Sequence, residues 1–447
     1  MLKRSLVTLL LLIPSFGWAA ENSPSSAEVL TLEQAVALAL ENNRAVRNSE
    51  LEVSKQDDSV AIARTRRLPD FSANIFGSML LQNIEYTFKQ GDFGTFPSGG
   101  PNPSTDVRIT TPRKFNTFAF VSVDQPLSQL YRVNLGIQSA KIGFQLAGQD
   151  LRSQKHTVAN SVKAAYFAVL QSQSALQAMQ QSMKLYQELD RVTGEYVLQQ
   201  VALKSQGLNV KARLAKVQYD SLKLENAIRS QKEQLNQLLG RPIGTDFSVS
   251  EVPEMTNVEF DLSLAQAKAR EQRPELQTAM LKRKQAELDR RSKKAEFIPD
   301  LSLSYRYMSP IGVDGLPHNI SAAGLYLSWE PFDWGRKRRE LATKRKTEQQ
   351  AAHAVEETES QVLLDVNTHF RKLQEAREAL HVTRLGQETE VEKLRVLSNR
   401  YSHKAVLLSD VLQTEADLAQ SNHEYREALA SFWTAKAEFE KALGEEQ

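Results

Sequence analysis

The chain has no cysteine. Neither a disulfide frame nor a cysteine-borne lipid anchor is therefore open to it. It has almost no net charge, with 56 Lys+Arg against 54 Asp+Glu, and Lys3 and Arg4 at the N-terminus account for the surplus of two. A chain so balanced has no basic surplus with which to hold nucleic acid. Beyond the N-terminal stretch it has no apolar run long enough for a transmembrane helix. If the protein spans a membrane, it must do so with strands. Proline is missing from Leu127 to Arg241 and from Phe332 to Gln447. Proline inside a helix costs about 3 kcal/mol, so two such long proline-free stretches point to very long helices.

The N-terminus carries Lys3-Arg4, an apolar run from Leu6 to Phe16 and small residues ending at Ala19-Ala20. This order predicts a secretory signal peptide over residues 1–20. The run is shorter than the roughly 20 apolar residues that a membrane anchor needs.

The most informative feature is a duplication. Leu68-Pro69-Asp70 returns as Ile298-Pro299-Asp300, 230 residues on. Leu32, Ala35, Ala37, Ala39 and Glu41 are matched at the same offset by Leu262, Ala265, Ala267, Ala269 and Glu271. Val123-Asp124-Gln125-Pro126-Leu127 returns as Ser328-Trp329-Glu330-Pro331-Phe332 after 205 residues, and Leu239-Gly240 as Leu443-Gly444 after 204. One supersecondary unit therefore occurs twice. The first copy covers residues 21–240 and the second 262–447, with a linker at 241–261. The drop in offset, about 25 residues, places an insertion in one loop of the first copy.

Each copy is expected to open with a helix. Leu32, Ala39, Val46, Val53 and Val60 recur every seven residues behind the capping Thr31. The helix stops before Pro69, and its twin before Pro299. Two strands follow. Leu301, Leu303, Tyr305 and Tyr307 alternate with polar residues, as do Leu325, Leu327 and Trp329 after a Gly- and Pro-containing loop. The β-hairpins span 71–123 and 301–329. In the first copy the strands are roughly Phe71–Leu81 and Phe115–Val123, and the apolar side of the second is open: Phe118 and Phe120 compete with Ala119, Val121 and Val123. The connection Gln82–Lys114, rich in Gly and Pro, is expected to be a mobile loop. Long helical hairpins close the copies, at 127–240 and 332–444. Their heptads lapse near Tyr196–Ser205 and Tyr401–Asp410, where the chain should turn back.

Aromatic residues crowd the strand ends: Phe71, Phe76, Phe115, Phe118, Tyr305, Tyr307, Trp329, Phe332 and Trp334. Aromatic girdles mark the bilayer interfaces of outer-membrane barrels. Four strands packed on a helix as a small soluble sheet are the plain alternative. Open sheet edges are not tolerated in lipid, so four strands in a membrane must close with strands of other copies. Two copies would make a barrel filled by its own side chains, whereas three leave room for a wet lumen.

These features together resemble the TolC family of outer-membrane efflux proteins. The resemblance runs from Leu32 to Gly444. It is carried by the duplicated first helix, the two Pro-Asp strand entries, Gln125-Pro126-Leu127, Glu330-Pro331-Phe332-Asp333-Trp334-Gly335 and Leu239-Gly240-Arg241-Pro242. It implies a mostly α fold: a homotrimer with a twelve-stranded β-barrel in the outer membrane of a Gram-negative bacterium and a trimeric α-barrel of helical hairpins in the periplasm. It also implies a passive exit duct for small molecules or proteins, met by a periplasmic adaptor (membrane fusion) protein and an inner-membrane transporter. The family has no catalytic residue and no cofactor. Tyr401 and Asp410-Val411-Leu412 resemble the family's gating region, where one Asp per chain forms an acidic ring and the Tyr takes part in closing bonds. Such rings attract cations. The hairpin tips, Gln199, Gln200 and Val201 in one copy and Lys404, Ala405 and Val406 in the other, correspond to the adaptor contacts. The chain departs from the family in having Lys404 for a usual Gly, Val406 for an Arg found in some members, and Gln413 for a second Asp. Read from the residues alone, Asp410 is a solvated charge at a helix start, and Tyr401 is as readily a packed helix end.

No other chemistry stands out. No two of the seven histidines lie four apart on a helix, and no phosphate-binding loop or nucleophile elbow occurs. Lys337-Arg338-Arg339 and Lys344-Arg345-Lys346, just after the fourth strand, read as a solvated helix face that could also meet lipid phosphates or the tunnel. A soluble periplasmic coiled-coil scaffold or adaptor remains the competing reading.

Overall fold

The computed structural model describes residues 28–111, 115–250, 261–312, 317–403 and 405–444. The expected signal peptide and Lys404 lie outside the described residues.

The chain begins with β1 (Glu28–Leu30), followed by α1 (Leu32–Asn42) and α2 (Arg44–Thr65). Thr31 caps α1 reciprocally with Gln34, the arrangement that satisfies two free N–H groups at a helix start. The single opening helix of the heptad reading is corrected here. The chain kinks at Asn43, whose backbone is extended. Its side chain accepts from Ala45 N and donates to the Leu238 carbonyl, so it ends one helix, starts the next and ties both to the end of the helical hairpin. A seven-residue apolar spacing does not register such a break, because the break preserves the buried face.

Next come β2 (Asp70–Met79), β3 (Ile84–Phe88), β4 (Thr95–Phe96), β5 (Gly100–Pro101), β6 (Val107–Thr111) and β7 (Phe115–Pro126). The expected mobile loop at 82–114 is a second correction. It carries an antiparallel ribbon, β3 on β6, that continues the β2–β7 hairpin, with the short β4–β5 pair at its far end. Tyr86, Phe88 and Phe93 pack ring on ring along it. Among the described residues, the glycines and prolines that suggest a loop lie at its far end. The alternation of Ile84, Tyr86 and Phe88 opposite Val107 and Ile109 supplies the strand.

The long helices α3 (Leu130–Leu198) and α4 (Lys204–Leu238) close the first copy. At 1.5 Å per residue, the 69 residues of α3 extend about 100 Å. The second copy repeats the order. After β8 (Phe247–Val249) come α5 (Leu262–Gln272), α6 (Pro274–Ala295), β9 (Asp300–Ile311), β10 (Ile320–Ser328), α7 (Arg336–Ser402) and α8 (Leu408–Leu443). The opening helix kinks here too, at Arg273 with Pro274 as first residue of α6, a position where proline's missing N–H costs nothing. The linker at 241–261 is partly structured, since β8 pairs parallel with β1. Tyr166, fully buried, donates its hydroxyl toward the carbonyls of Leu30 and Ser250 and holds this small sheet on α3.

Two cores follow the duplication. Val158, Val162 and Val169 of α3 pack with α1, α4 and β8. Val362, Val366 and Leu373 of α7, each 204 residues on, pack with α5 and α8.

The four long strands form one antiparallel sheet in the order β10-β9-β7-β2, in which the two copies join through β7 and β9. The register settles the open face of β7. Val121 and Val123 lie opposite Tyr307 and Tyr305 and opposite Ala73 and Phe71, so they belong to the apolar face with Leu303 and Leu325. Phe118 and Phe120 share the other face with Ser122, Ser304 and Arg306. That face is polar and bonded: Arg306 meets Asp124 at 2.7 Å, Ser304 donates to the same carboxylate, and Ser72 and Ser122 join at 2.6 Å.

Candidate functional site: the hairpin tips and the sheet

The α3–α4 and α7–α8 hairpins end side by side. Tyr186, Leu189, Val210, Tyr401, Leu408, Val411 and Leu412 form one buried cluster drawn from all four helices. Tyr401 is buried and meets Tyr196 edge-on at 6.0 Å. Its hydroxyl lies 3.5 Å from that of Thr193, which is fully buried. The structure therefore places Tyr401 as a contact between the two hairpins of one chain.

Asp410 lies in the first turn of α8 and is exposed. Its carboxylate accepts from the N–H of Leu407 at 3.3 Å and from the Ser409 hydroxyl, so it caps the helix and sits at the positive end of its dipole.

At the first tip the chain turns through Gln199 and Gln200. Gln200 adopts the left-handed conformation, φ +56°, at a turn where glycine would be the relaxed choice. Val201 N and Ala202 N both donate to the Tyr196 carbonyl. Gln199, Gln200, Val201 and Ala405 are exposed, while Val406 packs partly against the buried cluster. Leu198, Val201, Leu203 and Leu407 expose 85%, 63%, 70% and 69% of their surface. Side chains this apolar and this open are gathered at the ends of the two hairpins. Sequence reasoning named only Val201 of the four. Apolar residues flanking a helical turn were the signal for the rest.

Glu415 was also missed. It is 3% exposed on α8, with Ser182 of α3 donating to it. Burial pushes its carboxyl above the usual carboxylate range, and the serine only partly offsets this. The nearby Tyr186 hydroxyl, bonded by Arg213, is likewise pushed up by burial. A folded state that holds this proton more tightly than the unfolded chain is favoured below the unfolded carboxyl's pKa. It loses that advantage as pH rises through the folded one. Hydrogen-exchange protection of the tips should accordingly fall from pH 5 to pH 8 in the natural chain and stay flatter in Glu415→Gln. Equal slopes for the two proteins would remove Glu415 from the account.

At the opposite end of the molecule the sheet has no second layer packed on it among the described residues. Phe71, Ile75, Leu303, Leu325 and Leu327, all on its apolar face, are 49% to 79% exposed. Among the described residues β2 and β10 have no strand beyond them. The four strands are 10, 12, 12 and 9 residues long, matching the 9–11 or so that cross a bilayer. No described helix is long and apolar enough to do so. Trp329, Phe332 and Trp334, 62% to 88% exposed, follow the last strand where it meets the helices, the level at which interfacial aromatics sit.

Comparison with known proteins agrees with this geometry. Among curated proteins no sequence match was found. Solved structures do match. The outer membrane protein VceC of Vibrio cholerae is 15% identical, with 92% of this chain and 96% of that one covered and a TM-score of 0.73. The Campylobacter jejuni CmeC outer membrane channel is 14% identical over 98% and 94%, with a TM-score of 0.75. The Neisseria gonorrhoeae MtrE outer membrane channel, solved in its open state, is 19% identical over 92% and 88%, with a TM-score of 0.71. These likenesses show the fold. A family model described as outer membrane efflux protein matches residues 35–241 and 266–445, one segment for each copy of the repeat. The chain therefore belongs to the outer membrane efflux protein family.

Proposed function

We propose that three copies close their sheets into one twelve-stranded barrel in the outer membrane and their helices into a tunnel beneath it. The product is a passive exit duct. The observation that carries this reading is the four-stranded sheet itself. Among the described residues it has one apolar face, one hydrogen-bonded polar face, no partner layer and two open edges. In hydrocarbon such edges leave N–H and C=O groups unsatisfied at several kcal/mol each, so the sheet must be completed by neighbours. Closure turns the apolar face to lipid and the Asp124–Arg306 face to water. Twelve strands leave a wet lumen where eight would be plugged. A passive duct of this kind needs no catalytic residue.

The exposed leucines and valine of the tips are the surface for a periplasmic adaptor, through which an inner-membrane transporter loads the duct. Asp410, repeated around the axis, forms the acidic constriction, and the Tyr401–Tyr196–Thr193 contact holds the two hairpins together in the narrow state. A soluble periplasmic scaffold would have to leave the exposed Phe71, Ile75, Leu325 and Leu327 in water, which disfavours it.

Purified protein in planar bilayers should give discrete conductance steps with cations preferred over anions. Asp410→Asn keeps an oxygen for the Leu407 N–H but removes the charge, so the cation preference should fall while thermal stability holds. Unaltered ion selectivity would take Asp410 out of the constriction. A protein that stays in the aqueous fraction and gives no current would refute the duct.

A further inference from the structure

Four of the cations in the first three turns of α7 make no side-chain bond among the described residues. Lys337, Lys344, Glu340 and Glu348 share one face and bond to Glu330, Asp289, Lys293 and Arg290. Arg338, Arg339, Arg345 and Lys346 lie on the opposite face, are exposed, and make no side-chain bond among the described residues. On α2, Asp58 is in the same condition, exposed and unbonded, beside the 64%-exposed Leu51 and 61%-exposed Ile62.

The duplication says what these two faces meet. Helices run in the order α2, α3, α6, α7, following the strands they adjoin. The α3·α6 contact, where one copy of the repeat meets the other, is thus the internal template for α7 against α2 of the next chain. In that contact Leu135 and Ile142 of α3 bury against Leu288 of α6, with Leu146 and Leu281 alongside. The core valines fix the helix correspondence at 204 residues, and buried Val46 and Leu276 fix that of α2 with α6 at 230. Leu135 and Ile142 then map onto Arg339 and Lys346, and Leu288 maps onto Asp58. Leu146 and Leu281 map onto Gln350 and Leu51. The three leading apolar positions of the internal seam have become two cations and one acid, of opposite sign and on matching levels.

We propose that Asp58 of one copy sits between Arg339 and Lys346 of its neighbour and that this ion cluster is the seam joining copies below the membrane. This rests on the ring of copies argued above and goes further, naming the residues that close it. The neighbouring charges are accounted for. Lys55 is held by Glu52 at 2.6 Å. Asp57 is exposed and lies about 100° round the helix from Asp58. Arg338 and Arg345 flank the seam. Chemically different internal and external seams also keep copies from joining in the wrong register, because an acid against Leu135 and Ile142, or a cation against Leu288, would be desolvated without a partner.

The natural chain has no cysteine, so a full-length Asp58→Cys/Lys346→Cys variant can be oxidised without background. A disulfide needs Cβ atoms about 4 Å apart, so linkage requires the two positions to approach each other closely across the seam. The expected result is a reductant-sensitive ladder ending at three linked chains, absent from either single-cysteine variant. An intact oligomer by native mass with no linkage at this pair overturns the seam and leaves the ring standing. A natural chain that is itself monomeric in mild detergent overturns both. If the double-cysteine variant does not assemble, charge reversal decides. Asp58→Lys alone should cut oligomer recovery about tenfold, because like charges then face across the seam, and adding Arg339→Glu and Lys346→Glu should restore it. Full recovery with Asp58→Lys alone refutes the proposal.

Discussion

A proline at Leu325 and a proline at Tyr326, made one at a time, should each remove the protein from the outer membrane. In an antiparallel ladder successive N–H groups point to opposite sides. One of these two neighbours in β10 therefore bonds to β9 and the other points to the open edge. If the sheet were self-contained, the outward-pointing position would accept proline, as edge strands do. In a closed barrel that N–H meets β2 of the next copy, and its loss strands a carbonyl in hydrocarbon at a cost of several kcal/mol. Membrane fractionation and heat-resistant migration on gels read the outcome. One of the two proline variants behaving as the natural chain would show that β10 is a true edge.

The second large effect lies where each copy of the repeat closes. Gly240 has φ +71°, and a Cβ there would fall 2.4 Å from the carbonyl oxygen of Asn42 and 2.7 Å from its carbon. The backbone of the α1–α2 kink cannot yield, because Asn43 fixes it to Leu238. Gly240→Ala should destabilise by on the order of 3 kcal/mol, combining a left-handed non-glycine with an overpacked contact. Gly444, at φ +75°, repeats the arrangement, with Gln272 and Arg273 backbone atoms 2.9 to 3.0 Å from the built Cβ. Gly444→Ala should follow in kind but cost less, the approach being looser. Gly194→Ala is the control. It lies inside α3 with nothing within 4 Å, so it should be neutral or gain up to about 1 kcal/mol. Thermal unfolding in detergent ranks the three, and a neutral Gly240→Ala would mean that the helical hairpin does not dock on the kink.

Both predictions use features that are visible in the amino-acid order. The Leu-Gly pairs at 239–240 and 443–444 announce the duplication, and the alternation at Leu301–Tyr307 announces the strand. The missing prolines announce α3 and α7. What was hidden depends on partners far away in sequence. The β1–β8 pairing joins two strands of three residues across more than 200 positions, with no local signal beyond a few β-branched residues. The face of β7 could not be read because aromatic residues alternate with aliphatic ones. Only its register against β2 and β9 decides. The ribbon at 84–111 was legible in part, since Ile84, Tyr86 and Phe88 alternate, but glycine and proline counted over the whole segment outweighed three strand residues. At the tips, Asp410 could be placed because it follows a heptad break. Glu415 could not, because an acid in α8 looks like every solvated flank of a long helix until α3 is seen to cover it.

The same reasoning explains the basic run after the fourth strand. As sequence, Lys337-Arg338-Arg339 and Lys344-Arg345-Lys346 are two similar charge clusters. The helix divides them by face. One face is neutralised within the chain, and the other makes no side-chain bond among the described residues.

Everything above depends on incomplete sheets closing around a common axis. Native mass spectrometry of the protein extracted from outer membranes in mild detergent tests this directly. The predicted result is a single species at three times the subunit mass that conducts in planar bilayers. A monomer, or a dimer whose eight strands leave no passage, would contradict the account.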